Sequence, residues 1–550
     1  MVFESNGVKT ALVIIPHQDD EINLMGGLLP LLIENGIDVH FVYMTNGDIF
    51  FNGKVRIAEA IAALSWLGIK GENVHFLGYP DASDKFGRSL YRSDKVVSTK
   101  YGCSTYGSGL VNDYAFLAFG EHSDYTYSNL KRDLRDCILK VSPEVIFVTD
   151  FDGHHDHRLL VMAFDEVMND VLQNSDIDFH PYVYKGFAYS TAFKGNDDFY
   201  CLNPKDTAKP GRCNNALNTV TELDNPVLSW FSRVQFPVSL YSVVGNVLRD
   251  NILYKAMNEH RSQCVSLRAK RILNADKVFW ERPTNNLIYK AELSATSGDV
   301  SHLLNFKLFD VEDISEMVEP LQFEFIGWKP ALDDSERVLY IKFDVCEEVK
   351  FLNLYVHSIS DVDVKVCINN DIVLNIKDFD VVGKKYCYIF NETISVKTIC
   401  FMGLPDSAML LYVEILPDGF APFRYAKLKL NGNFAYKYLL DGSDISLDYE
   451  IYSYGFDVAM LRLVSDISKV SLNADSCKVP REVKRFHLSI VDEVTGTVYD
   501  TVSVERLNVF AKFFKLFVML LDYFYVKLVH RFQKFKRSKM KMLHFDEVKH

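Results

Sequence analysis

Two short clusters of histidine and aspartate are the parts of this 550-residue sequence whose types and spacing could do chemistry. The first, 16–21 (PHQDDE), follows directly after the apolar run 11–15. The second, 153–157 (GHHDH), comes soon after the apolar run 145–149. Imidazole and carboxylate groups are donors typical of metal sites in hydrolases, so the two clusters together predict a metal centre.

A catalytic zinc ion typically has three nitrogen or oxygen ligands and one position open for water. His17, Asp20 and His157 would supply two imidazoles and one carboxylate. Such ligands suit zinc first, and also iron, cobalt or nickel, so they do not identify the metal. Taken alone, each cluster has a plainer interpretation. An aspartate at a strand-to-helix junction often only caps the helix, and a histidine-rich loop is often only solvated.

Three neighbouring side chains could complete the chemistry of such a centre. Asp19, next to a ligand but not itself bound, could take the proton of the attacking water as a general base. His154 could donate to the developing oxyanion or to the leaving amine. Asp156 could hydrogen-bond a histidine and fix its tautomer and orientation. The set predicts metal-assisted hydrolysis at a carbonyl carbon.

The first half of the sequence contains the elements that must position these clusters. Its strand and helix patterns alternate, which predicts βαβ units and a largely parallel sheet. The predicted strands are 11–15, 39–44, 74–77 and 145–149, and the predicted helices are 22–33, 55–67, 130–141 and 158–172. The segment 82–123 has no clear period, which is typical of a long functional loop. Both clusters then lie at carboxyl ends of strands, where α/β sheets bind ligands.

Residues about 10–285 resemble the PIG-L/LmbE-like N-acetylglucosamine deacetylases. The matching motifs are 17–21 (HQDDE), 45–48 (TNGD), Arg56 with Glu59, 67–68 (LG), 77–81 (LGYPD), 154–157 (HHDH) and 260–263 (HRSQ). The family usually has proline where this chain has Gln18 and His155. Neither position is a ligand in the family pattern, although His155 could act as a stray ligand. The resemblance implies a Rossmann-like fold and zinc-dependent removal of an N-acetyl group from an amino sugar.

The resemblance also assigns roles to single positions. The three candidate ligands named above resemble the family's zinc ligands. Asp19 resembles the general base, His154 the residue that stabilises the tetrahedral intermediate, and Asp156 its orienting partner. Arg56 and Asp81 resemble sugar-binding residues.

Four of these positions have structural alternatives. Arg56 could simply pair with Glu59 on the next helical turn, and Asp81 could be an ordinary turn residue. His260 and Gln263 fall on one predicted helical face, where a structural role is at least as well supported.

The second half of the sequence shows short β runs separated by turns, a pattern typical of β-sandwiches. The predicted runs are 338–343, 349–356, 362–368, 386–390, 409–415, 458–464 and 486–491. Residues about 294–420 weakly resemble a discoidin-like, galactose-binding jelly roll, on the segment 295–297 (ATS), Phe309-Asp310, and Trp328 with Pro330 and Asp334. A sandwich that shields the catalytic domain is favoured over a working lectin, and Trp328 is expected in the core. The predicted domains are 1–290 (deacetylase-like), 294–420 and 421–505 (β-sandwiches), and 506–545 (amphipathic basic helix).

The last segment predicts a strongly amphipathic helix over 505–541 with a basic end at 534–541. Its apolar face could dock on the protein itself or lie on an anionic membrane surface. Its aromatic residues favour the membrane, so we expect a peripheral contact through 506–541 with the inner face of a membrane.

The composition limits the remaining possibilities. The formal charge of −13 argues against a nucleic-acid binder. No secretory signal is recognised, and the ten cysteines are scattered without a CxxC pair, which predicts buried free thiols in a cytoplasmic protein.

The sequence therefore predicts an α/β enzyme followed by β-sandwich domains. Its predicted function is a zinc-dependent hydrolase, with Fe²⁺ as an alternative metal, that removes acetyl from an N-acetylated amino sugar. One alternative is an amidase acting on another sugar-linked amide. Another is a non-catalytic, carbohydrate-binding, membrane-tethered protein with a degenerate enzyme domain.

Overall fold

The structure is a computed structural model. It describes residues 3–81, 89–152, 154–174, 176–188, 229–236, 247–273, 276–312, 314, 324–358, 362–383, 385–418, 421–431, 438–440, 444–455 and 458–547. Part of the loop predicted over 82–123, namely 82–88, lies outside the described residues, and so does Gly153.

The first half of the chain alternates strands and helices. In chain order these are β1 (Phe3–Ser5), β2 (Thr10–Ile15), α1 (Asp20–Met25), α2 (Leu28–Glu34), β3 (Asp38–Thr45), α3 (Gly53–Trp66), β4 (Val74–Tyr79), α4 (Tyr114–Phe119), α5 (Tyr127–Val141), β5 (Val145–Thr149), α6 (His155–Leu172), β6 (Tyr182–Gly186), β7 (Val234–Phe236), α7 (Ile252–Glu259), α8 (Ala269–Ile272) and β8 (Lys277–Pro283).

A seven-stranded sheet with the order β4-β3-β2-β5-β6-β8-β7 forms the centre of this half. The strands from β4 to β6 in that order are parallel, and β8 runs antiparallel to both of its neighbours. The mixed α/β prediction is confirmed. Because β2 and β5 are parallel neighbours, their carboxyl ends lie side by side, and the two predicted clusters begin there.

The central strand β2 is buried on both faces. Leu12 and Ile14 pack into one cluster with Leu134 of α5 and Leu160 of α6. The alternate residues of β2 pack into a second cluster that contains α3 and α7 side chains. This arrangement explains the continuous apolar run, since neither face of the strand meets water.

One helix prediction and one loop prediction in this half need correction. The single helix predicted over 22–33 is two helices, α1 and α2, that meet at Gly26. Gly26 has a φ of 47°, and the Lys277 side chain occupies the space where a β-carbon would lie. The segment 82–123 also contains a short helix, α4, which Asp113 caps and which ends at Gly120 in a left-handed conformation.

The second half is built from strands. In chain order they are β9 (Ala291–Ala295), β10 (Phe309–Asp310), β11 (Glu324–Phe325), β12 (Val338–Ser358), β13 (Lys365–Ile368), β14 (Ile372–Asn375), β15 (Asp380–Val382), β16 (Lys385–Met402), β17 (Ala408–Leu416), β18 (Phe423–Asn431), β19 (Tyr438–Leu440), β20 (Ile445–Tyr454), β21 (Leu461–Ser465), β22 (Ser471–Leu472), β23 (Ser476–Val479), β24 (Arg485–Asp492) and β25 (Val498–Leu507). The chain then forms the helix α9 (Val509–Glu547).

These strands form four sheets, one of which is the two-stranded pair β10-β11. The order β14-β13-β16-β12-β17, with β15 on β16 and β9 on β12, forms a seven-stranded sheet. The runs predicted separately over 338–343 and 349–356 belong to the single strand β12, whose pairing with β16 shifts register between Lys342 and Glu347. The run predicted over 458–464 begins as a 3₁₀ turn, Val458–Met460, before β21.

The last two sheets have the orders β1-β18-β20-β23-β22 and β19-β25-β24-β21. The N-terminal strand β1 therefore pairs with β18, far away in the sequence, as in the register Phe3 to Tyr425. This pairing crosses the predicted domain boundaries and links the first part of the chain to the last sandwich.

Two other expectations concern the chain as a whole. The cysteines with described positions are free thiols. The expectation that they are buried is confirmed for Cys137, Cys264 and Cys477, whereas Cys367, Cys387 and Cys400 are half-buried and Cys103 and Cys346 are exposed. Cys201 and Cys213 lie outside the described residues. Within the described part of the chain, no helix combines the length and apolar character needed to cross a membrane.

Candidate functional site

The two histidine–aspartate clusters meet at the carboxyl ends of β2 and β5. His17 follows closely after β2, and Asp20 begins α1. Asp156 and His157 lie in the first turn of α6, where the His154 side chain accepts a hydrogen bond from the Asp156 N–H at 3.2 Å. The second cluster is therefore a capped helix start and not a solvated loop. The His17 and His154 rings are 4.7 Å apart in an edge-to-face arrangement.

Among the three predicted metal ligands, His17 and His157 both approach the same carboxylate oxygen of Asp20. Asp20 Oδ2 lies 3.1 Å from His17 Nδ1 and 3.3 Å from His157 Nε2. Donor atoms bound tetrahedrally to one zinc ion are about 3.3 Å apart when the bonds are about 2.0–2.1 Å long. The two distances from Asp20 Oδ2 match this spacing. The groups whose donor atoms all lie within 4.8 Å of one another are His17, His154 and His157, then His154, His155 and Asp156, and then His17, Asp81 and Asp156. His154 also brings a ring nitrogen within 4.8 Å of nitrogens of His17 and His157.

Asp152 contacts the ring nitrogen of His157 that does not face Asp20. Its Oδ2 lies 2.8 Å from His157 Nδ1, which leaves Nε2 facing Asp20. A carboxylate behind a ligating histidine fixes its tautomer and ring orientation. The sequence prediction missed Asp152, although its position shortly after β5 could have indicated it.

His17 stands between carboxylates on both sides of its ring. Its Nε2 lies 2.9 Å from Asp156 Oδ2 and 3.4 Å from Asp81 Oδ1. Asp156 is farther from His154, at 3.8 Å, so the structure places it mainly against His17. Asp81 also approaches Arg56, with 3.8 Å between Oδ2 and Nη1.

These contacts shift the proton affinities of the buried groups. Burial opposes protonation of His17, but the carboxylates of Asp81, Asp156 and Asp20 raise its pKa well above the usual value. Burial also opposes ionisation of Asp20, yet His157 and His17 hold its pKa well below the usual value. The pKa of His157 rises to about 9 because Asp152 and Asp20 outweigh its burial. The site thus favours positive charge between these carboxylates, as a metal ion would provide.

His154 behaves differently from the other histidines of the cluster. Burial, followed by the charges of His17 and His157, lowers its pKa far below the usual value, so it is neutral at pH 7. Because its Nδ1 accepts a hydrogen bond from the Asp156 N–H, the proton of the neutral ring lies on Nε2. His154 can therefore donate a hydrogen bond from Nε2.

Asp19 is held between two guanidinium groups. Its Oδ1 lies 3.1 Å from Arg56 Nη2, and its Oδ2 lies 2.7 Å from Arg268 Nη2. The Asp19 backbone has a φ of 141°, a conformation that residues other than glycine rarely adopt and that tends to occur at functional sites. Arg56 also donates to the Gln18 carbonyl, and Glu59 pairs with Ser262. The alternative that Arg56 pairs with Glu59 is therefore not what the structure shows.

Two other residues of the site had no predicted role. Arg268 lies far from Asp19 in the sequence, and no local motif points to it. Asp48, from the TNGD motif, accepts hydrogen bonds from the Asp81 N–H at 3.1 Å and the Tyr106 hydroxyl at 2.7 Å. Burial and the nearby charge of Asp81 raise the pKa of Asp48 to about 6, although the Tyr106 hydrogen bond opposes the shift.

His260 and Gln263 have structural contacts. The buried His260 ring pairs with Glu21, the last residue of the first motif, and Gln263 donates to the Ser262 hydroxyl. His155, the departure from the family pattern, lies 3.7 Å from Asp156 Oδ2 through its Nε2.

Several of the residues that carry the jelly-roll resemblance form hydrogen bonds with one another. Trp328 is completely buried, as expected, and donates to the Ser297 carbonyl at 2.9 Å. Thr296 and Ser297 both donate from their hydroxyls to Asp334 at 2.5 Å. Trp328 therefore does not offer an exposed platform for a sugar.

Comparisons with solved structures find matches of low sequence identity. A structure of N,N'-diacetylchitobiose deacetylase from Pyrococcus horikoshii is 19% identical and has a TM-score of 0.24, over 34% of this chain and 64% of that one. The conserved protein TT1542 from Thermus thermophilus is 14% identical, with a TM-score of 0.28, over 49% of this chain and 93% of that one. A family 32 CBM from Clostridium perfringens NanJ, in complex with galactose, is 11% identical, with a TM-score of 0.17, over 23% of this chain and 94% of that one. Among curated proteins, none matches the chain.

The family comparison concerns the part of the chain that holds both clusters. The model of the family described as PIG-L, GlcNAc-PI de-N-acetylase, matches residues 12–168. These residues run from β2 to α6 and include every predicted catalytic, substrate-binding and metal-binding position. The resemblance to the PIG-L deacetylases that the motifs indicated is confirmed over residues 12–168.

Proposed function

We propose that the chain is a metal-dependent N-deacetylase that releases acetate from an N-acetylated amino sugar, on a Rossmann-like catalytic domain. The observation that carries the proposal is the position of Asp20 Oδ2 between His17 Nδ1 and His157 Nε2. This arrangement lies within the segment that matches the PIG-L model. Zinc is the proposed ion, because imidazole and carboxylate donors at this spacing suit it first.

The proposal gives each group around the ligands a task. When bound, the metal supplies Lewis acidity that activates water and polarises the acetyl carbonyl. Asp19 accepts the proton of that water, and its two guanidinium partners fix the position of its carboxylate. His154 donates from Nε2 to the oxygen on which negative charge develops. Asp156 orients His17 through the contact at 2.9 Å. Arg56 and Asp81 are proposed to line the sugar site, because both border the cluster.

Metal analysis and acetate release test the two parts of this proposal separately. Elemental mass spectrometry of the purified full chain should find about one zinc ion per chain. His157→Ala should remove the metal and the activity, because one of three ligands is lost. Asp19→Ala should keep the metal and lose most of the turnover with N-acetylated sugars.

His180 provides a matched control, because it is a partly exposed histidine outside the cluster whose Nδ1 donates to the Thr284 carbonyl. His180→Ala should keep both metal and activity. A chain that binds no divalent metal even after reconstitution would contradict the metal site. Near-normal turnover in Asp19→Ala would contradict the assignment of the general base.

A further inference from the structure

The terminal helix α9 contacts the catalytic domain along one narrow stripe. Asp522, Val526, His530 and Gln533 follow the spacing of one helix face. Asp522 accepts a hydrogen bond from the Leu248 N–H at 2.8 Å, and Val526 is buried.

The later residues of the stripe bind α7 and the turn after it. His530 Nε2 lies 3.3 Å from the Tyr254 hydroxyl. The Gln533 amide donates to Asn258 at 2.9 Å and accepts from the Ser266 hydroxyl at 2.7 Å. The docking of α9 is therefore specific, and it is made largely through polar groups.

The opposite side of α9 is apolar and exposed. Its members include Phe510, Phe517, Leu521, Phe524, Leu528 and Phe535, which are between 49% and 84% exposed. At 100° per residue, these side chains lie roughly 190° around the helix from the docked stripe. The helix thus attaches to the protein by one side and presents large apolar side chains to the outside, an arrangement that marks an interaction surface.

The charge of the helix is opposite to that of the rest of the protein. Residues 509–543 contain nine lysines and arginines, and their only acidic residue, Asp522, is the buried one of the docked stripe. The segment therefore carries +8, whereas the whole chain carries −13, which leaves −21 for the remainder. Lys527 and Lys534 fall on one flank of the apolar side and Lys536 on the other.

We propose that the exposed side of α9 binds the surface of an anionic lipid bilayer. An apolar strip with cations along its flanks is the pattern of a helix that lies in the membrane interface. The aromatic and leucine side chains would enter the boundary between headgroups and acyl chains, and the flanking lysines would contact anionic headgroups. A second copy paired through the same side would bring two segments of +8 together, which charge repulsion opposes.

Arg537, about one helical turn beyond Gln533, extends the contact of α9 toward the candidate site. The Arg537 guanidinium lies 5.9 Å from the centre of the Phe51 ring. Phe51 belongs to the loop between β3 and α3, which also carries Asp48 of the candidate site. The helix that binds the bilayer in this proposal therefore contacts the loop that carries Asp48.

Flotation with phosphatidylcholine vesicles, with and without phosphatidylglycerol, tests the proposal on the full chain. The wild-type chain should float with the phosphatidylglycerol vesicles and be released at high salt. Leu528→Glu should weaken binding about tenfold, because it puts a charge on the side chain that would enter the bilayer interface. Lys534→Gln should weaken binding about fivefold, as expected for the loss of one cation near an anionic surface.

Two exposed positions away from the helix provide matched controls. Leu332 is 74% exposed in the middle of the chain, and the Lys70 side chain is 70% exposed near β4. Leu332→Glu and Lys70→Gln should bind vesicles as the wild type does, and all four variants should keep the wild-type thermal midpoint.

Three results would overturn the proposal. The first is equal flotation of Leu528→Glu and Leu332→Glu. The second is equal binding to vesicles with and without phosphatidylglycerol. The third is a wild-type dimer in light scattering that Leu528→Glu converts to a monomer without any lipid binding, since this would make a second copy the occupant. None of these measurements depends on deacetylase activity.

Discussion

The two arginine partners of Asp19 determine where its carboxylate lies. Arg268 makes the shorter contact, 2.7 Å to Oδ2, and Arg56 is already shared with the Gln18 and Gly47 carbonyls. The position of the proposed general base therefore depends on a residue just before α8, far away in the sequence. Small misplacements of a catalytic group reduce rates strongly.

We expect Arg268→Ala to lower kcat about 10–100-fold with little change in KM, because the general base loses its closest positioning contact. Metal content should stay at the wild-type value. Arg261→Ala is the matched control, since that side chain is 62% exposed and pairs with Glu259. Steady-state kinetics of both variants check the prediction, and an unchanged kcat in Arg268→Ala would show that Arg268 does not position Asp19.

Asp48 gives a prediction about pH. Its pKa is about 6 in the folded chain, against an ordinary value of 3.8, chiefly because it is buried. At a pH between 3.8 and about 6, the Asp48 carboxyl group is mostly protonated in the folded chain and mostly ionised in the unfolded chain. The free energy of unfolding therefore falls as the pH rises from 3.8 to about 6, by up to about 3 kcal/mol, and stays lower above that pH.

Asp48→Asn should remove this loss, since an amide does not ionise. We expect its thermal midpoint to exceed that of the wild type at pH 8, and the difference to shrink at pH 4. Melting curves recorded with a chelator test this expectation. Asp178→Asn, at a fully exposed carboxylate, should show no such pH-dependent difference. A constant offset between Asp48→Asn and the wild type at both pH values would contradict the assigned pKa.

At the scale of the elements, the turn after β3 allows Arg56 to reach the site. Gly47 has a φ of 65°, and a β-carbon there would come within 2.6 Å of Arg56 Nη1 and 2.5 Å of Gln18 Oε1. The turn therefore needs glycine for its backbone conformation and for the space that Arg56 occupies.

Gly36 is a control that shares the backbone conformation of Gly47 but not its crowded surroundings. Its φ is 75°, but no atom lies within 4 Å of the β-carbon position. We expect Gly36→Ala to cost about 1–2 kcal/mol of stability from backbone strain alone. Gly47→Ala should cost about 1–3 kcal/mol more because of crowding, and should reduce turnover by displacing Arg56. Thermal midpoints and acetate release measure both effects, and equal behaviour of the two variants would contradict the proposed role of Gly47.

The elements around the site were predictable where the signal lay within a short stretch of the sequence. The apolar run of β2 and the motif after it indicated a buried strand that ends at a ligand cluster, and the structure brings the strand and the cluster together as expected. The Gly26-Gly27 pair was itself a sequence signal of a helix break that the prediction missed, whereas the packing of Lys277 against Gly26 was not predictable, because Lys277 comes from a distant strand. Arg268 was missed for the same reason, since only the complete fold brings it to Asp19.

At the scale of the whole molecule, the catalytic sheet and the last sandwich share one aromatic core. Phe423 of β18 is fully buried, and its ring centre lies 4.8 Å from that of Phe3 and 5.8 Å from that of Phe236. Its ring also stacks with Phe147 of β5 and Tyr184 of β6 at 6.4 and 6.1 Å. The side of the catalytic sheet on which these rings lie is therefore covered in part by a strand from the far end of the chain.

Phe423→Ala should consequently weaken the catalytic sheet as well as the sandwich to which β18 belongs. Loss of a buried phenylalanine costs about 3–5 kcal/mol, and here the lost ring contacts include those with β5, β6 and β7. Phe486→Ala is the matched control, because Phe486 is buried in the sandwich's own core, away from the catalytic sheet. Hydrogen exchange of a peptide covering 145–149 should become faster in Phe423→Ala and stay unchanged in Phe486→Ala. Unchanged exchange of this peptide in both variants would mean that the catalytic sheet is stable without the sandwich, which would favour a domain boundary near residue 290.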